Sequence, residues 1–411
     1  MAARKMGNHR DCPHNPRETS NQNQVSSIKY QVSSIQYPVS SIQNKEQFMI
    51  DIFIGPKQYI QREGLLGEAG NYLKPFGRRP MVLGDELVFS IIRATLESRL
   101  KSAGLSPSFV QFAEECSMAE ISRLVGIVKK ENLDCIVGTG GGKAIDTSRL
   151  VAEQLKLPLI TIPTSAATCS AASAVAVVYE KGIRQATVNG KGADLVLVDS
   201  TILSQAPIRL LASGMGDALA KWYEGKPCYD QMKEPDSATQ GALSLSTQTK
   251  ESILSLGLEA KSHVEAKKNS YPVEKIVEAN VLLTGVIGGL GGSKFRVAVP
   301  HALLYGLTVL PQVHQNLHGE MVSFGIIVQL CLEKNEKELQ VLLPFFSQLG
   351  LPITLKSLGL TNVEDPLFWE GLKRTCAKGS SVHNLPFPVD EQKLYRAMLE
   401  ADERTRSLIK G

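Results

Sequence analysis

A run of glycines closing an apolar strand constrains this chain more than any other feature: Val137-Gly138-Thr139-Gly140-Gly141-Gly142-Lys143. It follows Cys135 and Ile136 and leads into a helix-compatible segment over 144–155, with Asp146 near its start. Glycines between a strand and a helix let a ligand approach the backbone, and the free N–H groups and dipole of the helix N-terminus favour an anion. A nucleotide pyrophosphate suits such a turn, and so does a tight connection that binds nothing. The spacing is neither GxGxxG nor GxxxxGK[ST], so neither of those phosphate motifs is matched.

Around this turn apolar strands alternate with helices. Short runs at 50–54, 81–83, 135–137, 159–162 and 195–198 read as strands bounded by Gly, Pro or Asp, with helical patterns at 89–103 and 118–131. Segments 174–179 and 184–188 flank Lys181-Gly182 as a β-hairpin. From Pro207 onward, apolar residues recur at helical spacing over 210–223, 273–286, 321–332 and 339–349, punctuated by Pro227, Pro235, Pro272, Pro311 and Pro352. The expectation is an α/β domain over 49–203, built on a doubly wound parallel sheet, and an all-helical domain over 204–411. A cleft between two such halves is a common place for a ligand.

Charge and cysteine content narrow the function class. The net charge of +4 includes +3 from residues 1–48, which leaves no basic face for nucleic acid. No apolar run approaches a membrane span; 324–332 has the length of a buried helix. Seven scattered cysteines without zinc-ribbon or disulfide-framework spacing fit a reduced, cytoplasmic compartment. Residues 24–44 hold three near-copies of seven residues (QVSSIKY, QVSSIQY, PVSSIQN). Their Ser-Ser pairs, β-branched residues and Pro38 argue for a disordered or non-native extension over 1–48 rather than a coiled coil, with Met49 as the start.

Three residues of the helical half can form a metal site: Asp217 in GMGDALAKWYEG, His301 in VAVPHALLYGL and His318 in NLHGEMVSFG. Two imidazoles and a carboxylate with an open position describe a catalytic zinc or iron site. The three are far apart in sequence, and a histidine at a helix start can equally be a cap or a packed core residue.

Five ordered motifs, GTGGGKAIDTSR (138–149), PTSAATCSAASAVAVVY (163–179), ADLVLVDSTILSQAPIRLLASGMGDALAKWYE (193–224), PHALLYGLTVLP (300–311) and LHGEMVSFG (317–325), make the chain resemble the iron-containing alcohol dehydrogenase superfamily. Within it, the glycerol dehydrogenase group is the nearest in pattern. The resemblance implies the dehydroquinate synthase-like fold, a small alcohol or carbonyl substrate, and a homo-oligomer. It implies one divalent metal, zinc before iron, held at the catalytic centre by Asp217, His301 and His318, and NAD before NADP. Gly141, Gly142 and Lys143 match pyrophosphate-binding positions, with Asp146 bracing their loop. Thr164 matches a position toward the adenine or phosphate side; Ser173, Val175 and Tyr179 match positions toward pyrophosphate and nicotinamide. Asp85, in VLGDE, matches an acidic residue that binds ribose hydroxyls and repels a 2′-phosphate. The same position suits a helix N-cap. His314, four residues before His318, could relay a proton or stand in a solvated loop.

The chain also departs from the group's pattern. Cys169 stands where glycerol dehydrogenases carry a polyol-binding aspartate, Leu304 where the second histidine of a His-x-x-His run belongs, and Tyr305 in place of the following asparagine. A thiol at 169, with GDALAKWYE, GLTVLPQ and SVHNLP (381–386), is similar to the hydroxycarboxylate dehydrogenases of the superfamily, which reduce 2-oxo acids. Losing a carboxylate there removes hydrogen bonds from a polyol but a repulsion from an acid. Lys294 and Arg296 could hold a substrate carboxylate or be surface charges, and His383-Asn384 lies near the substrate end of the cleft in relatives. The expectation is therefore a metal-dependent dehydrogenase inclined to 2-hydroxy and 2-oxo acids, with a glycerol or vicinal-diol dehydrogenase as the alternative. A lyase or cyclase of the dehydroquinate synthase type would place a glutamate at 217 and line its pocket with many Lys and Arg. A non-catalytic binding protein would not need the intact ligand set.

Overall fold

Four apolar strands form the middle of one sheet, buried along their whole length, as a parallel sheet covered by helices allows, and two half-exposed strands form its edges. The computed structural model describes residues 52–113 and 115–410. The repeats at 24–44, the extension over 1–48 and the start at Met49 lie outside the described residues. In chain order the strands are β1 (Tyr59–Arg62), β2 (Pro80–Gly84), β3 (Ser108–Gln111), β4 (Cys135–Gly140), β5 (Leu159–Pro163), β6 (Val175–Glu180), β7 (Ile183–Asn189) and β8 (Leu195–Asp199). The sheet runs β1-β8-β5-β4-β2-β3 and every pairing in it is parallel. Val82, Val137, Ile160 and Leu197 face one core; Met81, Ile136, Leu159 and Val196 face the other, as a period of two requires.

The helices of this half are α1 (Ala69–Leu73), α2 (Glu86–Ser102), α3 (Met118–Glu131), α4 (Gly142–Leu155) and α5 (Ser200–Gln205). The chain goes from β2 outward to β3 and returns to pair β4 on the other side of β2, so the strand order reverses between β2 and β4. Such a switch point opens a crevice at the carboxyl ends of the strands, where Asp85 and Gly141 lie. β6 and β7 form the expected hairpin, with Lys181 at φ 52° and Gly182 at φ 78° in its two-residue turn.

One expectation fails here, and one strand was not expected. The first strand is not at 50–54: its described part, 52–54, is irregular, and β1 pairs later. β3 was not legible, since only Val110 of its four residues is buried.

From Ser200 the described chain is helical: α6 (Ile208–Asp230), α7 (Ser237–Glu265), α8 (Tyr271–Glu278), α9 (Thr284–Phe295), α10 (Val299–Leu307), α11 (His318–Glu333), α12 (Glu336–Leu349), α13 (Pro366–Thr375) and α14 (Glu391–Lys410). The boundary expected at 203/204 falls inside α5, and residues 51–411 cluster as one unit. Pro227 does not break α6. It leaves the Tyr223 carbonyl without its helical donor, and Gln329 Nε2 of α11 supplies one at 2.6 Å. A π-turn over Ala279–Leu283 joins α8 and α9, and the whole stretch Tyr271–Phe295 is long and apolar enough to cross a membrane, contrary to the sequence expectation. Its apolarity has another cause: Val273, Ile276, Val277, Val281 and Ile287 are fully buried in the protein core.

Candidate active site

Glycines at helix crossings build the site. A Cβ on Gly216 of α6 would lie 2.0 Å from Ser323 Oγ of α11, and one on Gly319 of α11 would lie 1.7 Å from the Ser213 carbonyl oxygen of α6. A Cβ on Gly325 would lie 2.5 Å from Pro300 Cα of α10. These contacts let α6, α10 and α11 pack backbone to backbone. Asp217 follows Gly216, His318 precedes Gly319, and His301 follows Pro300, so each crossing delivers one side chain to the same point.

There the three donors meet, all within 4.8 Å of one another. Asp217 Oδ1 is 3.4 Å from His301 Nε2 and 3.7 Å from His318 Nε2. Donors each ~2.1 Å from one tetrahedral ion stand ~3.4 Å apart, so two imidazoles and a carboxylate in this arrangement fit a divalent metal. Glu224, fully buried two turns further along α6, completes the support. Its Oε2 accepts from His301 Nδ1 at 2.6 Å, and its Oε1 accepts from the N–H groups of Ala298 at 2.7 Å and His301 at 3.1 Å. A proton held on Nδ1 leaves the Nε2 lone pair for a metal.

The electrostatics agree. Burial opposes ionisation of Asp217, but Lys221 and the two imidazoles outweigh it and hold the carboxyl well below its usual range. Burial depresses His318 to about 4, which keeps it neutral at pH 7. It also acts downward on His301, where the Glu224 carboxylate more than compensates.

One cavity of about 1250 Å³ runs from these donors to the glycine turn. Gly141, Gly142 and Lys143 line it, and Gly141 begins α4 with no side chain capping the helix N–H groups. The Asp146 carboxylate accepts from Ser170 Oγ at 2.5 Å and from the Val177 N–H at 3.0 Å, which ties α4 to the 169–173 segment and to β6. Burial pushes its carboxyl up to about 6 against the pull of Arg149. Ser173, Val175 and Tyr179 line the cavity, with the Lys143 ammonium 5.8 Å from the Tyr179 ring centre.

Thr164 and Asp85 are not in the lining. The Thr164 N–H bonds the Gly140 carbonyl at 3.3 Å, and Asp85 caps α2 by accepting from the Val88 N–H at 2.8 Å through Oδ1. Cys169, Leu304 and Tyr305 line the same cavity. Burial pushes the Cys169 thiol up to about 12, aided by Asp217. Arg296 and Asn384 face the cavity, whereas Lys294 and His383 do not. His314 is exposed but lines the same cavity, packs against Gly182 and bonds the Thr308 carbonyl at 2.8 Å.

Sequence reasoning missed Lys221, Glu224 and the buried Arg149. Positions 217, 221 and 224 follow the i, i+4, i+7 spacing of one helix face, a signal that was present. Arg149 donates to the Lys191 carbonyl at 2.6 Å and the Ser170 carbonyl at 2.5 Å, tying two loops together. The cleft is also more basic than expected: six Lys and Arg side chains line it against two aspartates.

The family profile of the iron-containing alcohol dehydrogenases matches residues 56–200. Glycerol dehydrogenase of Citrobacter freundii is 34% identical over 360 residues, covering 86% of this chain and 98% of its own. Hydroxycarboxylate dehydrogenase A of Escherichia coli K12 is 27% identical over 359 residues, with the same coverage of 86% and 98%. The crystal structure of a probable glycerol dehydrogenase from Sinorhizobium meliloti superposes with a TM-score of 0.79 at 30% identity, over 87% of this chain and 99% of that one. A nicotinamide cofactor and a bound metal follow from that kinship, and the donor set and glycine turn fit both. The chain belongs to the iron-containing alcohol dehydrogenase family, as a metal-dependent alcohol oxidoreductase.

Proposed function

We propose that the chain is an NAD-linked dehydrogenase interconverting small 2-hydroxy and 2-oxo acids at a metal held by Asp217, His301 and His318. The observation that carries it is the single cavity joining those donors to the Gly141–Gly142 turn, with the Cys169 thiol and no carboxylate beyond Asp217 and the fully bonded Asp146 in its lining. A metal bound there would polarise the substrate oxygen as a Lewis acid, and a nicotinamide would exchange the hydride. The residues supply the rest. Glu224 orients His301, Gly141 and Gly142 present N–H groups to the pyrophosphate, and Asp146 fixes the loop against α4. Ser173, Val175 and Tyr179 flank the nicotinamide side, and Thr164 supports the phosphate side. The N-termini of α10 and α11, next to His301 and His318, favour negative charge on the substrate.

Asp85 has one oxygen on the helix cap and a second free for a ribose hydroxyl, which supports NAD over NADP. Hydride transfer asks no redox change of the metal, which supports zinc; elemental analysis of native protein separates it from iron. Residues 49–203 and 204–411 act as cofactor and metal domains. Leu87 and Ile91, exposed one helical turn apart on α2, are where a second copy would pack. A cytoplasmic location accords with the six described cysteines, all unpaired.

The second reading, a glycerol or vicinal-diol dehydrogenase, is favoured by the higher identity to glycerol dehydrogenases, 34% against 27%. Turnover separates the two. Metal-replete protein is expected to oxidise NADH with 2-oxobutyrate or 2-oxoglutarate faster than it reduces NAD with glycerol. Glycerol turnover without 2-oxo acid turnover overturns the proposal.

A further inference from the structure

Beside the three donors stand two cations that the metal arrangement does not use. Lys221, one turn after Asp217, is 5% exposed, and its Nζ lies 3.4 Å from Asp217 Oδ1 and 3.4 Å from His301 Nε2. Arg296 follows α9, where Gly292 at φ 60° and ψ −169° turns the chain out of the helix. Asn384 Nδ2 then donates to the Ser293 carbonyl at 2.9 Å and to the Val297 carbonyl at 2.8 Å, fixing the segment on both sides of Arg296. The Arg296 side chain has no hydrogen bond or ion pair among the described residues, and its Nε is buried without a partner. Both cations line the cavity and both act on Cys169.

We propose that Lys221 and Arg296 form the subsite that binds the substrate carboxylate, an inference that rests on the 2-hydroxy acid reading above. A buried guanidinium N–H without an acceptor is unfavourable, and a carboxylate satisfies the guanidinium fork with two oxygens at once. A 2-hydroxy acid bears its carboxylate on the carbon next to the reacting one, so its two binding groups need adjoining partners. The Lys221 ammonium adjoins the metal-binding atoms, and Arg296 lines the same cavity on a segment fixed by Asn384. The thiol at 169 now has a reason: an aspartate there would pair with these cations and fill the subsite. A neutral polyol would leave the Arg296 guanidinium without a counter-charge.

The test uses oxamate, a 2-oxo acid analogue that NADH does not reduce, titrated calorimetrically into metal-replete protein with NADH. Arg296→Gln is expected to weaken oxamate about 30-fold or more, and Arg296→Lys, which keeps the charge but loses the fork, to fall between. Lys221→Met weakens it similarly, while Lys294→Gln, outside the cavity, leaves it unchanged. In steady state, the kcat/KM preference for 2-oxobutyrate over the neutral hydroxyacetone collapses in Arg296→Gln. Oxamate binding within threefold of the parent in both Arg296→Gln and Lys221→Met overturns the subsite. If the parent still reduces 2-oxo acids in that case, the substrate reading survives without it. If oxamate binds through Arg296 but only glycerol is turned over, the subsite stands and the substrate reading falls.

Discussion

Glu224 uses both carboxylate oxygens, one on His301 Nδ1 and one on two backbone N–H groups at the start of α10. Glu224→Gln puts an amide NH₂ where one of those donors needs an acceptor and loosens the orientation of His301. Metal affinity, measured by competition with a chelator, is expected to fall roughly 10–100-fold. Unchanged affinity with lowered stability would make Glu224 a helix staple only. At Cys169 the issue is charge rather than geometry. The half-buried thiol is pushed up to about 12, so alkylation by iodoacetamide at pH 7.5 is expected to be slow. Cys169→Asp is expected to raise kcat/KM for glycerol and lower that for 2-oxobutyrate by about tenfold, through pairing with the neighbouring cations. A variant with unchanged preference would mean that position 169 does not select the substrate.

At the scale of elements, crossings decide the site. Gly319→Ala forces α6 and α11 apart, because the new Cβ would lie 1.7 Å from a carbonyl oxygen. Both helices carry metal-binding residues, so the change is expected to cost about 1–3 kcal/mol of stability in urea unfolding and to weaken metal binding as well. Gly126→Ala in α3, where nothing lies within 4 Å, is expected to stabilise by about 0.5–1 kcal/mol. Matching effects at both positions would refute the crossing argument. Glu333, the last residue of α11, is pushed up to about 7 by burial, with Gln329 its hydrogen-bond donor at 2.8 Å. The folded state therefore keeps a proton that the unfolded chain releases near 4.5, and stability falls as pH rises from there through 7. Glu333→Gln is expected to flatten that slope and add up to about 3 kcal/mol at pH 8; an unchanged slope would place the titration elsewhere.

These elements also show what a sequence can disclose. The β4–α4 turn was legible because consecutive glycines after an apolar strand have few uses. The hairpin was legible from Lys181-Gly182. Asp217, His301 and His318 were candidates by residue type, but only the resemblance tied them into one site, since no local spacing encodes three helices converging. Pro227 misled because its missing donor is replaced by Gln329, more than a hundred residues away. Arg296 and Lys294 could not be told apart in sequence; the kink at Gly292 and the Asn384 bonds decide which of them faces the cavity.

For the molecule as a whole, the sheet half offers the glycine turn and the helical half the donors, yet both open into one cavity. Ligands on its two sides should then be linked. Anything that binds only the folded state stabilises it by RT ln(1 + [L]/Kd), about 2.7 kcal/mol at a hundredfold excess over Kd. Chelation of bound metal is expected to lower Tm by roughly 5–10 °C, given about 2–4 °C per kcal/mol for domains of 150–250 residues. On the proposed role of Asp85, whose carboxylate would accept a ribose hydroxyl and repel a phosphate, NADH is expected to raise Tm more than NADPH. Coupling between the sides is reciprocal for binding free energies, so the factor by which metal tightens NADH must equal the factor by which NADH tightens metal. Titrating NADH with and without zinc, and zinc with and without NADH, measures both arms of the cycle. A shared factor above about threefold means that the cavity carries cofactor and metal as one site. A factor of one means that the two halves bind independently, and that the hydride path is assembled only when substrate bridges them.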